Sequence, residues 1–231
     1  MLYMKIGMKV VKLLVLFLLS AASAPASGGE YFDVVTLKCS EKAAGSSYEA
    51  WVDVPVGGGA AVVREAKRWI CEVLGVDEAP ETDADGFAKL MERAAADFLA
   101  DAERCRRTVR VTWNYEDASC VTYEAEVADH DSVTWTTADV ATFSKRDGHR
   151  AEPQEVFACD EARIKQLMWR WRGDLPMEVG SADELYVGNV GYIDGWVIVI
   201  GPARNTSGAE FRIRYSDAER WLRAGREGYL P

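Results

Sequence analysis

The chain has 231 residues, with 27 Lys and Arg against 37 Asp and Glu and a formal net charge of −10. That balance argues against nucleic acid or anionic lipid as a partner, since like charges repel, and favours a cationic one. With 48% hydrophobic and 10% aromatic residues, the chain has apolar material for one large or two small packed domains.

At the start, Lys5, Lys9 and Lys12 lead into the apolar run Leu13 to Leu19 and then the small residues Ser20 to Ala26. This order predicts a secretory signal peptide over residues 1–26, cut after Ala24 or Ala26. The run is far short of the ~20 residues that cross a bilayer, so no membrane anchor is expected after cleavage. Loss of the three lysines would take the net charge from −10 to −13. A secreted or periplasmic protein meets little ATP or NAD, and its thiols can oxidise. The five cysteines, Cys39, Cys71, Cys105, Cys120 and Cys159, form no CxxC. They allow zero to two bridges, in pairings that spacing does not fix. Cys71, beside Ile70 in a helical pattern, reads as a core residue.

Tyr31 to Leu37 and Tyr48 to Val56 read as strands separated by a polar turn from Glu41 to Ser47. Gly57-Gly58-Gly59 then precedes a helix with Val62, Ala66, Trp69, Ile70 and Val73 on one face and Arg64, Lys67, Arg68 and Glu72 on the other. The glycines lack the rest of a phosphate-loop pattern and read as a strand-to-helix turn. After a loop from Pro80 to Asp85, a second helix runs to Ala102. Val109, Val111 and Trp113, then Val121, Tyr123, Ala125 and Val127, alternate with polar residues as half-buried antiparallel strands do. A third strand spans Ser132 to Ser144 and ends at the turn Arg146-Asp147-Gly148, after which His149 faces solvent.

A helix from Asp160 to Trp171 follows, and Asn189 to Ile193, Asp194-Gly195 and Trp196 to Ile200 form a hairpin. Phe211 to Tyr215 is one more strand, and Ser216 with Glu219 predicts a capping box for a last helix through Leu222. Strands and helices do not alternate as βαβ throughout. The expected fold class is therefore α+β, with a mainly antiparallel sheet packed with helices. Residues 27–107 form an N-terminal α+β module and residues 108–231 a C-terminal α+β domain, or the two make one compact unit.

Asp129-His130-Asp131 has the composition of an acid–base cluster, but adjacent residues in an extended segment point to opposite faces, so both aspartates cannot orient one imidazole. Too few nitrogen and sulfur ligands accompany it for a metal site. It reads as a polar loop entering the next strand. Trp169-Arg170-Trp171-Arg172 interleaves rings and cations, with Trp171 explained by the amphipathic helix. Asn205-Thr206-Ser207 matches a glycosylation sequon.

From Val121 to Phe157 the chain runs through a strand bearing Tyr123, a polar segment with His130, a strand ending Phe143-Ser144-Lys145-Arg146-Asp147-Gly148, and then Glu155-Val156-Phe157 and a helix. This resembles the extracytoplasmic domain of the RsiV (lysozyme-sensing anti-sigma factor)/PdaC type, whose pattern is a tyrosine-rich strand, a GGAH-like turn, F-x-x-x-x-G, an acidic-to-phenylalanine step and a helix. The preceding half, with Val52-Asp53-Val54-Pro55, is similar to the small module that often precedes that domain. In place of GGAH this chain has Val127-Ala128-Asp129-His130, so only the histidine is kept. No sigma-binding segment and no deacetylase domain is expected.

The resemblance implies a module that binds at the cell envelope, with lysozyme, a strongly cationic protein, as the partner in the RsiV case. The function expected is therefore an exported non-catalytic binding module for peptidoglycan or another envelope glycan, or for a basic protein such as lysozyme. Its candidate contacts are Asp129, His130, Asp131 and Trp135, with Tyr192 and Trp196 at the later hairpin. No catalytic residue, metal or cofactor is assigned. Two alternatives are a cell-wall glycan hydrolase or deacetylase-like enzyme using carboxylates near His130, and a structural subunit of a surface assembly.

Overall fold

The computed structural model describes residues 31–77, 82–175, 179–203 and 206–223. The expected signal segment, Asn205 of the sequon and the Pro80 end of the predicted loop lie outside them. Eight strands form one sheet, in the order β1-β2-β3-β4-β5-β8-β7-β6. The fold is α+β, and most strand pairs are antiparallel, as the sequence predicts.

β1 (Asp33–Ala43) and β2 (Ser46–Gly57) form a hairpin whose turn is only Ala44 and Gly45, at φ 51° and 88°. The polar segment from Glu41 to Ser47, expected as a loop, is mostly strand. Two residues of positive φ suit the twist of paired strands, so no longer loop is needed. α1 (Ala60–Leu74) ends at Gly75 in the left-handed conformation, φ 67°. α2 (Ala84–Asp101) begins at Asp83, whose carboxylate accepts from the Gly86 N–H at 2.8 Å. The ammonium of Lys67, expected on the wet face of α1, is buried and donates to the Thr82 carbonyl at 2.7 Å.

The two helices return the chain so that β3 (Arg106–Glu116) pairs in parallel with β2. β4 (Cys120–His130) and β5 (Thr134–Ser144) complete a meander. The boundary near residue 107 therefore falls inside β3. Residues on both sides of it, Val52 and Tyr123 among them, share the first core under α1 and α2.

α3 (Pro153–Val156) and α4 (Glu161–Trp171) follow, then β6 (Val190–Ile193), β7 (Trp196–Ala203) and β8 (Thr206–Arg214). β8 joins β5 in parallel at Thr136↔Thr206 and Thr137↔Gly208. Ile164, Leu167 and Met168 of α4 pack with Val197, Val199, Phe211 and Ile213 as a second core. The other face of β7 turns Ile198 and Ile200 onto Val140 of β5. Gly191 permits this approach, since a Cβ there would lie 2.3 Å from Val140 Cγ2. The sheet thus folds over itself.

α5 (Tyr215–Ala218) and a 3-10 turn (Glu219–Trp221) close the described chain. The predicted capping box of Ser216 and Glu219 does not form, because the helix begins two residues earlier and Arg214 occupies the cap position. Among the described residues no disulfide joins any of the five cysteines. Among the described residues no helix is long and apolar enough to cross a membrane.

Candidate functional site

The segment expected as a polar loop around Asp129 is the end of β4, and its alternation decides where each side chain goes. Asp129 lies opposite Arg107 of β3 and takes both its Nε–H and its Nη2–H at 2.7 Å. The same guanidinium lies 4.5 Å from the centre of the Phe98 ring. His130 points to the other face, where its Nδ1 meets the Thr134 hydroxyl at 3.1 Å. Asp131, exposed at the turn, accepts from the Val133 N–H at 2.8 Å and the Ser132 hydroxyl at 3.2 Å. These bonds, the Val133 N–H first, hold its carboxyl below the usual range, so it stays ionised. Beside it Val133 is 56% and Trp135 48% exposed. Trp135 stands directly across from Asp129.

Tyr192 and Trp196 lie in the other half of the molecule. The Tyr192 ring is buried between Tyr115 and Tyr215, at centroid distances of 5.2 and 5.9 Å, and its hydroxyl accepts from the Gly195 N–H at 3.1 Å. Trp196 stands edge-on to Trp171 at 6.3 Å, and the Arg214 guanidinium lies 5.7 Å from each ring. Arg172 covers Trp169 at 4.1 Å, and Arg163 and Arg220 flank Trp221 at 4.6 and 4.7 Å. Guanidiniums thus lie within cation–π range of each of these tryptophan rings.

Sequence reasoning missed a second site. A cavity of about 620 Å³ opens between α1 and the segment after β5. Glu65, Arg68 and Glu72 of α1 and Asp147, His149, Arg150 and Glu152 form its rim, above Trp69 and Phe143. Arg150 bonds Glu72 at 3.2 Å and Arg68 bonds Glu65. The His149 ring faces solvent as expected, with its side chain 52% exposed, and meets Glu155 at 2.9 Å.

The far wall is pinned by Gly148, φ 77°, which lies so close to the start of α1 that a Cβ would stand 2.6 Å from the Ala61 carbonyl atoms. Within this turn Gly148 N–H donates to the Ser144 carbonyl at 2.8 Å and Ser144 N–H to the His149 carbonyl at 3.0 Å. The Phe143-to-Gly148 spacing read from the sequence thus joins a ring at the base of the cavity to the glycine that docks its wall. Among the described residues no group of three or more His, Cys, Asp or Glu is placed to hold a metal ion.

No family model and no curated protein matches the chain. Solved structures do. A DUF3298 family member from Bacteroides fragilis aligns with TM-score 0.57 at 10% identity, over 85% of this chain and 95% of its own. A DUF3298 family protein from Pseudomonas aeruginosa aligns with TM-score 0.50 at 10% identity, over 84% of this chain and 94% of its own. At such identity the likeness speaks for the fold.

Proposed function

We propose that this chain is an exported binding module without chemistry of its own, and that the β4–β5 hairpin tip docks onto a basic protein of the cell envelope, of the lysozyme kind. The observation that carries this reading is that exposed Val133 and Trp135 share the β4–β5 hairpin tip with the ionised Asp131. An apolar patch beside a fixed negative charge is what a cationic partner recognises, with the ring as anchor and the charge as guide. The net charge of −10 acts in the same sense at longer range. The fold shared with DUF3298 proteins and the Phe143-to-Gly148 turn are compatible with an extracytoplasmic domain of the RsiV/PdaC type. Hydrolysis near His130 draws less support: Asp129 is engaged by Arg107 and the imidazole by Thr134.

The test is equilibrium binding of the chain to lysozyme and, in parallel, to peptidoglycan, at low and high salt. Lysozyme affinity is expected to fall about tenfold between 50 and 500 mM salt, as the Debye length shrinks. Trp135→Ala and Asp131→Asn should each weaken it by about tenfold. Lysozyme binding that ignores both substitutions overturns the reading. Salt-independent retention on peptidoglycan alone would move the assignment to the glycan.

A further inference from the structure

The cavity between α1 and the β5–α3 segment lies apart from the hairpin tip, and its ligand chemistry does not rest on the docking reading. Its rim carries four carboxylates, Glu65, Glu72, Asp147 and Glu152, against two guanidiniums, Arg68 and Arg150. The carboxylates outnumber the guanidiniums by two, an excess of negative charge that disfavours nucleotides, phosphates and other anions. Trp69 and Phe143 at the base are each 1% exposed, and the Trp69 indole N–H already donates to Asp139 at 3.1 Å. The base therefore offers no open ring face for a pyranose, and recognition falls to the charged rim.

A ligand entering such a rim interrupts internal pairs such as Arg150–Glu72. It can do so without stranding a charge only if it supplies both signs: a carboxylate for a guanidinium and ammonium groups for the carboxylates. The excess negative charge favours more ammonium than carboxylate. The volume lies within the range of small-molecule sites. Gly148 against Ala61 and the turn's own hydrogen bonds hold the wall in place before any ligand arrives, which lowers the ordering cost.

We infer that this cavity binds a small diamino carboxylic acid, free or as the end of a peptide, with Arg150 and Arg68 facing its carboxylate and Glu65, Glu72 and Asp147 its ammonium groups.

The probe is L-lysine, titrated calorimetrically into the full chain, with cadaverine (no carboxylate), glutarate (no ammonium) and N-acetylglucosamine as comparisons. Lysine is expected to saturate with a dissociation constant of roughly 0.1–5 mM, as suits partly solvated ion pairs. Cadaverine and glutarate should bind at least about tenfold more weakly, and the sugar not detectably. Glu72→Gln and Arg150→Gln should each weaken lysine about tenfold, whereas Asp131→Asn at the hairpin tip should leave it unchanged. Should either rim variant lose its folded circular dichroism, Glu65→Gln carries the same expectation. Failure of lysine to saturate by about 20 mM overturns the inference, since binding that weak is not specific. Equal binding of cadaverine or glutarate, or indifference to the rim substitutions, does so too.

Discussion

Glu124 shows how one residue can set a pH dependence. It points from β4 into the space where the sheet folds over itself, with its side chain 13% exposed. Arg212 of β8 reaches it at 3.0 Å and also holds Glu210 at 2.8 Å, while Asn114 of β3 donates to its other oxygen. Burial, reinforced by the like charge of Glu210, raises its pKa from 4.5 to about 7, against the pull of Arg212 and Asn114. A carboxyl whose folded pKa lies above its unfolded value adds stability in its neutral form. That contribution is complete below pH 4.5 and is lost as pH rises through 7. Solvent around the half-exposed Arg212 reduces the effect to about 1–2 kcal/mol. Glu124→Gln removes the titration. Urea unfolding of both proteins at pH 5 and pH 8 should therefore show the native chain losing about 1–2 kcal/mol relative to the variant as pH rises. A difference that stays constant between the two pH values would mean that Glu124 is solvated like an ordinary glutamate.

At the scale of elements, the turn after β5 is fastened to α1 through Gly148, and Gly195 in the β6–β7 turn provides a control. Gly148→Ala meets two penalties, a left-handed backbone at φ 77° and a Cβ 2.6 Å from Ala61. Gly195→Ala, at φ 80° with nothing within 4 Å, meets only the first. Gly195→Ala should cost about 1 kcal/mol and Gly148→Ala about 2–4 kcal/mol in urea unfolding. Equal costs would mean that the turn is not wedged against the helix. Elements with strong local signals were legible in the sequence: the helices by their apolar spacing, the β6–β7 hairpin by Asp194-Gly195 between alternating runs. The β1–β2 turn was not, because Ala44 at φ 51° is no turn former and its neighbours are polar although paired. The β4–β5 tip was placed in sequence, but its geometry was not. Asp129 and Trp135 share a face with Arg107, which no local pattern reveals. The cavity was least legible of all. Glu65 and Glu152 are far apart along the chain, and only the docking of Gly148 on Ala61 makes them neighbours.

In the molecule as a whole, the seam between the two parts of the sheet is short: among the described residues β5 and β8 pair at Thr136↔Thr206 and Thr137↔Gly208. Hydrogen bonding along the seam would let β6–β8 open separately from β1–β5. Packing across the fold-over opposes that. Tyr192 N–H donates to the Thr142 hydroxyl at 2.9 Å, which itself shares a 2.7 Å bond with the Thr122 hydroxyl, and both threonines are buried. Asn189 reaches Asp139 at 2.7 Å, and Ile198 and Ile200 cover Val140. Opening the halves would expose these apolar side chains and leave the Tyr192 N–H and the Asn189 amide to find new partners, a cost that the short seam does not reflect. The halves should therefore unfold together. Native-state hydrogen exchange in rising urea tests this on amides of Val121 and Ala141 in the first part, and Val199 and Phe211 in the second. All four should converge on one opening free energy with one urea slope. Earlier opening of Val199 and Phe211, by more than about 2 kcal/mol, would show that the strand seam governs the cooperativity and the packing across the fold-over does not.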